Sequence, residues 1–319
     1  MHFRRLGHSG LKVSEISLGS WVTFGNQLDE TSAILLIKEA FSQGINFFDN
    51  ADMYANGLAE TVMGKAVKDL PRPELVISTK VFWPTMKGPN GRGLSRKHIT
   101  ESIHASLKRL GTDYVDLYFC HRYDPDTPVE EVVRTMTDLV HQGKILYWGT
   151  SEWEASQVMQ AYGTAREFGL IPPTMDQPQY NLFHRKRVED ELMPVCRELG
   201  IGLTTFSPLY YGILSGKYNE GIPQGSRASL EDYGWIKERI TPQRIDIVRQ
   251  LTLVANDLGI TPAQLAIAWV LRRKEVSSVI TGATRLEQLD ENLGASEAYE
   301  KFTEIDIDRI FACLTNYLE

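Results

Sequence analysis

One pattern recurs along the whole chain and limits what it can fold into: a short apolar run, a loop, then a stretch with helical spacing. The apolar runs fall at 16–18, 46–49, 75–80, 115–121, 145–149, 174–177, 202–206 and 278–281. Short segments that are apolar almost without interruption fit strands buried on both faces, as in a parallel sheet. Between them the spacing predicts helices over 33–43, 97–110, 129–142, 154–168, 187–199, 243–258 and 286–294, with a last one over 306–317. In the first, Ile34, Ile37, Ala40 and Phe41 share one face and Gly44 closes the segment. Ser95 stands where an N-cap belongs, with His98 three residues on in place of the Glu of a capping box.

Eight strand–helix units predict an α/β chain closed into a (β/α)8, or TIM, barrel. An open doubly wound sheet would want a phosphate-binding GxGxxG after its first strand, and Gly19-Ser20-Trp21 does not supply one. Residues 3–6 and 12–14, joined through Gly7 and Gly10, read as an N-terminal β-hairpin that caps the barrel floor. A barrel of this kind takes about 250 residues plus insertions. The 319 residues therefore suit a single domain over 1–319, with no linker or low-complexity segment. Two stretches break the alternation, 83–93 and 210–241, and both belong to the barrel end that carries chemistry.

Composition narrows the function classes. Lys plus Arg is 34 against Asp plus Glu 41, a net charge of −7, which argues against a nucleic-acid surface. No stretch approaches the roughly 20 apolar residues needed to cross a bilayer, so membrane insertion is not expected. The opening MHFRRLGHSGLKVS has no apolar run before a small-residue site, and Cys120, Cys196 and Cys313 show no CxxC spacing. Free thiols and a cytoplasmic location are the expectation. The histidines form no HxH pair, which leaves a metal-dependent hydrolase on the same barrel poorly supported, and no metal site is expected.

The polar residues that end apolar strands are the candidates for chemistry. Strand two ends at Asp49 and runs on to Tyr54; strand three ends at Lys80; strand four ends at His121. Each has an ordinary reading on its own: Asp as a cap or turn former, Lys reaching out to water, His as a satisfied rim residue, Tyr as packing. Their arrival from adjacent strands on one rim favours the functional one. Trp21, Trp83 and Tyr211 are aromatic candidates for an apolar substrate pocket.

At these residues the sequence resembles the aldo-keto reductases over essentially its whole length. GINFFDNADMYANGLAETVMGKAV is similar to the family's signature around its Asp and Tyr. WVTFGNQ, RGLSRKHI, SLKRLGTDYVDLY, YWGTSEW, FSPLYYGILSGKY, SRASLEDYGWIKERI and ITGATRLEQLDEN resemble the branch holding the beta subunits of voltage-gated potassium channels and their plant and bacterial relatives. The resemblance implies a catalytic tetrad of Asp49, Tyr54, Lys80 and His121. Tyr54 would be the general acid in NADPH-dependent reduction of small aldehydes and ketones, acidified by the neighbouring Lys80. Asp49 would hold Lys80, and His121 would orient the carbonyl. It also implies an NADP(H) site. Ser20, Trp21, Gln27, Asp49, Ser151 and Gln177 would lie along the cofactor, the last two on the nicotinamide amide. Phe206, Ser207, Pro208, Leu209, Tyr210, Tyr211 and Arg227 would lie around the pyrophosphate. Lys217, Thr284 and Gln288 would meet the 2′-phosphate, with Gly282, Glu291 and Asn292 nearby. The channel subunits carry Asn at the place of His121, Arg at that of Glu152 and Trp at that of Phe206. His121 is the reductase version, which favours a metabolic enzyme over a slow, redox-sensing regulatory subunit, the alternative. The branch includes tetramers, so a homo-oligomer is one expectation; the small carbonyl substrate is the other partner implied.

Overall fold

The computed structural model describes residues 1–319 except 26, 231, 232, 316, 318 and 319. Residue 26 of WVTFGNQ, residues 231 and 232 of SRASLEDYGWIKERI, and residue 316 of the last predicted helix therefore lie outside the described residues.

Strands β1 (Phe3–Arg5) and β2 (Lys12–Ser14) pair antiparallel, as the predicted hairpin. Eight parallel strands follow: β3 (Ile16–Gly19), β4 (Phe47–Asp49), β5 (Val76–Val81), β6 (Val115–Cys120), β7 (Ile145–Ser151), β8 (Met175–Gln177), β9 (Gly202–Thr205) and β10 (Val276–Thr281). They close in the order β10-β3-β4-β5-β6-β7-β8-β9, and each predicted apolar run supplies one stave. Around them lie α1 (Glu30–Ser42), α2 (Leu58–Val67), α3 (Arg96–Leu110), α4 (Val129–His141), α5 (Ala155–Glu167), α6 (Met193–Leu199), α7 (Trp235–Arg239), α8 (Pro242–Asp257), α9 (Pro262–Leu271), α10 (Leu286–Leu293), α11 (Ala295–Ala298) and α12 (Glu304–Cys313).

Side-chain alternation sorts each strand between two cores. In β6, Leu117 and Phe119 join Phe47, Val76, Met175 and Ile280 inside the barrel, while Tyr118 and Cys120 pack outward among the helices. The hairpin closes the floor by sending Leu6 and Val13 into that inner cluster. Its turn is held by His8 N–H donating to the Gly200 carbonyl at 2.8 Å and Gly7 N–H to Ser277 Oγ at 3.3 Å. Gly7 has φ +55°, and a Cβ there would press on the backbone at Gly200 and Gly202. Only glycine fits.

Several predicted elements shift. Helix α1 begins at Glu30 because Asp29 caps it, accepting from Ser32 N–H at 3.0 Å. Its buried stripe is Ala33, Leu36, Ile37 and Ala40, whereas Ile34 and Phe41 are only partly covered. The Ser95 cap of α3 is present, accepting from His98 N–H. The segment predicted as a helix over 187–199 opens with a π-helical turn, Arg187–Leu192, before α6. Helices α2 and α9 were absent from the sequence expectation. Among the described residues no single helix is long and apolar enough to cross a membrane.

Candidate active site

The four strand-end residues converge at the C-terminal mouth of the barrel. Strand β4 delivers Asp49 and β5 delivers Lys80; His121 follows the last residue of β6. Lys80 is fully buried. Its Nζ donates to Asp49 Oδ2 at 2.6 Å and to the Asn50 carbonyl at 2.7 Å. Asp49 Oδ1 also accepts from Ser78 Oγ at 2.7 Å and Gln177 Nε2 at 3.0 Å. Removing an ammonium from water is costly unless it is paired and hydrogen-bonded, and Asp49 with the Asn50 carbonyl supplies both. Burial still draws the Lys80 pKa down, against the pull of Asp49.

Tyr54 stands over this pair, its ring centroid 5.2 Å from Lys80 Nζ and 5.9 Å from the centre of the His121 ring. The expectation that Lys80 makes this phenol more acidic does not hold in this state. Burial, and then the Asp49 carboxylate, push the Tyr54 pKa well above its ordinary value, while Arg122 works against them. The reason is charge balance: Asp49 answers Lys80 at 2.6 Å, so the pair presents little net positive charge to the phenol. His121 moves the other way, far below its usual value, through burial and then the cations Lys80 and Arg122. At neutral pH the site therefore holds a protonated phenol and an uncharged imidazole.

The strained backbone gathers on the same rim. All the described non-glycine residues with positive φ, namely Val22, Ala55, Asn56, Glu152, Ser207, Tyr210 and Tyr211, lie in loops that follow β3, β4, β7 and β9. Such conformations cost of order 1–3 kcal/mol each and persist where the surroundings impose them, typically at functional sites.

A cleft of about 920 Å³ opens above the tetrad. The aromatic candidates Trp21, Trp83 and Tyr211 line it. Trp83 lies 6.4 Å from His121, and Trp21 lies 6.2 Å from Tyr211, centre to centre. Along the cleft run Gln27, Asp49, Ser151, Gln177, Phe206, Ser207, Pro208 and Leu209, then Lys217, Arg227, Gly282, Thr284, Gln288, Glu291 and Asn292. Two predicted cofactor residues do not line it. Ser20 is buried beneath the floor with its hydroxyl donating to Asn50 Oδ1 at 2.8 Å, and the Tyr210 ring turns away to pack on Phe183 and Arg244.

The far end of the cleft gathers cationic side chains. Lys217 has its pKa drawn down to about 8 by burial and by the neighbouring cations Arg227 and Arg285. Neither Lys217 nor Arg227 has an ion-pair partner among the described residues. Arg285 is the N-cap of α10, forms no side-chain cap bond and lines the same end of the cleft. Thr284 N–H and Oγ1 both reach Gln288 Oε1, at 2.8 and 3.0 Å, which fixes the loop after β10. Gly282 lets Arg227 approach: a Cβ there would stand 3.1 Å from Arg227 Nη2. Lys217, Arg227 and Arg285 thus gather beside the start of α10.

A model of the aldo/keto reductase family matches residues 15–315. The chain belongs to that family. It is also 50% identical over 316 residues to a protein of Arabidopsis thaliana named as a probable voltage-gated potassium channel subunit beta, spanning 97% of this chain and 95% of that one. A rice protein of the same name is 49% identical over 316 residues, covering 98% and 96%. Members of this family generally bind NAD(P)H.

Some residues of the site were not singled out in the sequence. Ser78 sits two positions before Lys80 on β5, so period-two alternation places both inside the barrel. Arg122, Arg239, Gln179 and Trp235 also line the cleft. Behind the tetrad, Asp52 accepts from Ser102 Oγ at 2.6 Å, and Glu60 accepts from Thr79 Oγ1 at 2.5 Å and Arg109 Nε at 2.6 Å. Burial pushes the Asp52 pKa up to about 7.

Proposed function

We propose that the protein reduces small aldehydes and ketones to alcohols with NADPH, with Tyr54 as the proton donor. The observation that carries this reading is the Tyr54 ring 5.2 Å from the Nζ of a buried Lys80 that pairs with Asp49 at 2.6 Å, at one end of a cleft whose other end gathers Lys217, Arg227 and Arg285. When bound, the reduced cofactor supplies a hydride to the carbonyl carbon. Lys217, Arg227, Arg285 and the first turn of α10 would hold its phosphates, and Ser151 and Gln177 its amide. Charge beside the 2′-phosphate favours NADPH over NADH.

The chain's own groups do the rest. The carbonyl oxygen gains negative charge and needs a proton at hydrogen-bond distance. A phenol with a raised pKa stays fully protonated at neutral pH, and an alkoxide, a base comparable to hydroxide, is strong enough to take its proton. As the proton leaves Tyr54, the Arg122 guanidinium and the Lys80 ammonium 5.2 Å from the ring centroid would offset the new negative charge, Lys80 only in part because Asp49 pairs with it. His121, neutral, donates a hydrogen bond to the same oxygen and orients it.

Loss of NADPH absorbance on adding methylglyoxal or 4-nitrobenzaldehyde tests the reading. Tyr54→Phe is expected to bind NADPH normally and to lose roughly 10²- to 10⁴-fold in turnover, the usual contribution of a positioned acid. Full activity in that variant would reject the assignment. The names of the two plant relatives favour a second reading, a regulatory subunit that senses NADP(H) redox state with slow turnover. Tight NADPH binding with negligible oxidation by a panel of reactive aldehydes would select it.

A further inference from the structure

The half-buried arginines of this fold are, with few exceptions, matched to carboxylates. Arg4 pairs with Glu15, Arg72 with Asp116, Arg109 with Glu60, Arg187 with Glu152 and Arg272 with Glu189. Arg122, Arg227, Arg239 and Arg244 have no ion-pair partner among the described residues. Of these, Arg122 follows His121 directly and lines the cleft. One guanidinium nitrogen, Nη1, donates to the His121 carbonyl at 2.5 Å, and the group lies 5.7 Å from the centre of the Trp83 ring. These two contacts hold the fork against the wall of the cleft and leave further N–H donors without an acceptor among the described residues.

The two acids that line this end of the cleft, Asp49 and Glu152, are already engaged. Asp49 is held by Lys80, Ser78 and Gln177. The Glu152 carboxylate accepts from Gln179 N–H at 2.6 Å and from Arg187 Nη2 at 3.1 Å. A second cation, Arg239, reaches the cleft stacked on Trp235 at 4.7 Å and Tyr211 at 5.6 Å, again with no ion pair among the described residues. The catalytic end thus carries an unanswered positive charge, separate from the Lys217, Arg227 and Arg285 cluster at the phosphate end. Arg122 is also close enough to Tyr54 and His121 to shift the acidity of both.

We propose that the favoured substrate is an aldehyde carrying a carboxylate, and that Arg122 is the residue that binds that carboxylate. The inference rests on the reductase reading and specifies its substrate class. A planar guanidinium edge matches a carboxylate with two parallel N–H···O bonds, and a partly dehydrated cleft strengthens such a contact. Nitro and carboxylate groups are both planar with two oxygens but differ by one charge, so 4-carboxybenzaldehyde and 4-nitrobenzaldehyde form a matched pair of probes.

The experiment measures kcat and KM for both aldehydes, by NADPH oxidation, in the wild type, Arg122→Gln and Arg122→Lys. Comparing each variant with the wild type cancels the intrinsic reactivity of the two rings. Arg122→Gln is expected to lose at least about tenfold more kcat/KM on the carboxylate than on the nitro compound, mainly through KM. Arg122→Lys should restore part of the difference, and added salt should weaken only the carboxylate reaction of the wild type. Equal losses on both aldehydes would overturn the proposal, because they would mean that Arg122 only tunes Tyr54 or packs against Trp83. A wild type that binds NADPH but oxidises it with neither aldehyde would overturn the reductase reading, and this proposal with it.

Discussion

Lys217 shows how much chemistry a single side chain can carry. Its pKa in the free protein is drawn down to about 8 by burial and by Arg227 and Arg285. A bound 2′-phosphate would push it back up, because an adjacent anion favours the ammonium. The bound form then holds a proton that the free form releases above about pH 8, so NADPH binding is expected to weaken as the pH rises through that value. A fluorescence titration from about pH 7 to about pH 9.5 should show this for NADPH and much less for NADH, and Lys217→Met should flatten it. A pH-independent NADPH affinity in the wild type would remove Lys217 from the phosphate site. Legibility at this scale follows backbone regularity. Asp49, Lys80 and His121 could be read because they end strands, where direction alternates predictably. Ser20 and Tyr210 could not, because loop torsions such as φ +44° at Tyr210 decide where the side chain turns.

Elements were legible where burial is one-sided or where a strand is too short to be anything else. The eight barrel strands gave continuous apolar runs, and the helices found in the sequence showed an apolar stripe. Helix α9 escaped because it has no polar face: Ala263 through Leu271, Gln264 excepted, is buried almost completely between α8, α10, α11 and the barrel. A helix apolar all round has no period to detect. Its start was nevertheless encoded, since Thr261 and Gln264 form a reciprocal capping box. Helix α2 was hidden for another reason. It begins after three successive left-handed residues, Ala55, Asn56 and Gly57, and its Glu60 is buried to pair with Arg109 rather than marking a solvent face. The prediction that belongs here concerns Trp269. It is fully buried, 5.1 Å from the Tyr180 ring, and has the Arg272 guanidinium stacked 3.9 Å from its centre. Trp269→Ala is expected to cost about 3–5 kcal/mol in urea unfolding. A loss below about 1 kcal/mol would mean that α9 is not held in the core as described.

At the scale of the whole molecule, closing the barrel places acids where water cannot reach them. Asp176 on β8 points outward into the layer between strands and helices, fully buried, with Thr150 Oγ1 donating to its Oδ2 at 2.5 Å. Burial pushes its pKa from 3.8 up to about 7, and Asp52 behaves the same way. The unfolded chain releases these protons near pH 4, while the folded chain keeps them until about pH 7. Across that window the native state binds more protons than the unfolded state, so these two groups make stability fall as the pH rises and contribute no further change above it. Exposed carboxylates such as Asp29, whose pKa is lowered by its cap bonds to Ser32, act in the opposite sense at more acidic pH. Asp176→Asn keeps an acceptor for Thr150 and removes the charge. Relative to the wild type, it should gain stability between pH 5 and pH 8, by about 3 kcal/mol at most, because roughly two of the three units by which the Asp176 pKa is raised lie above pH 5. Urea unfolding of both proteins at the two pH values measures that difference directly. An unchanged difference would mean that Asp176 is ionised in the folded barrel, and that the interface between β8 and its helices admits enough water to solvate it.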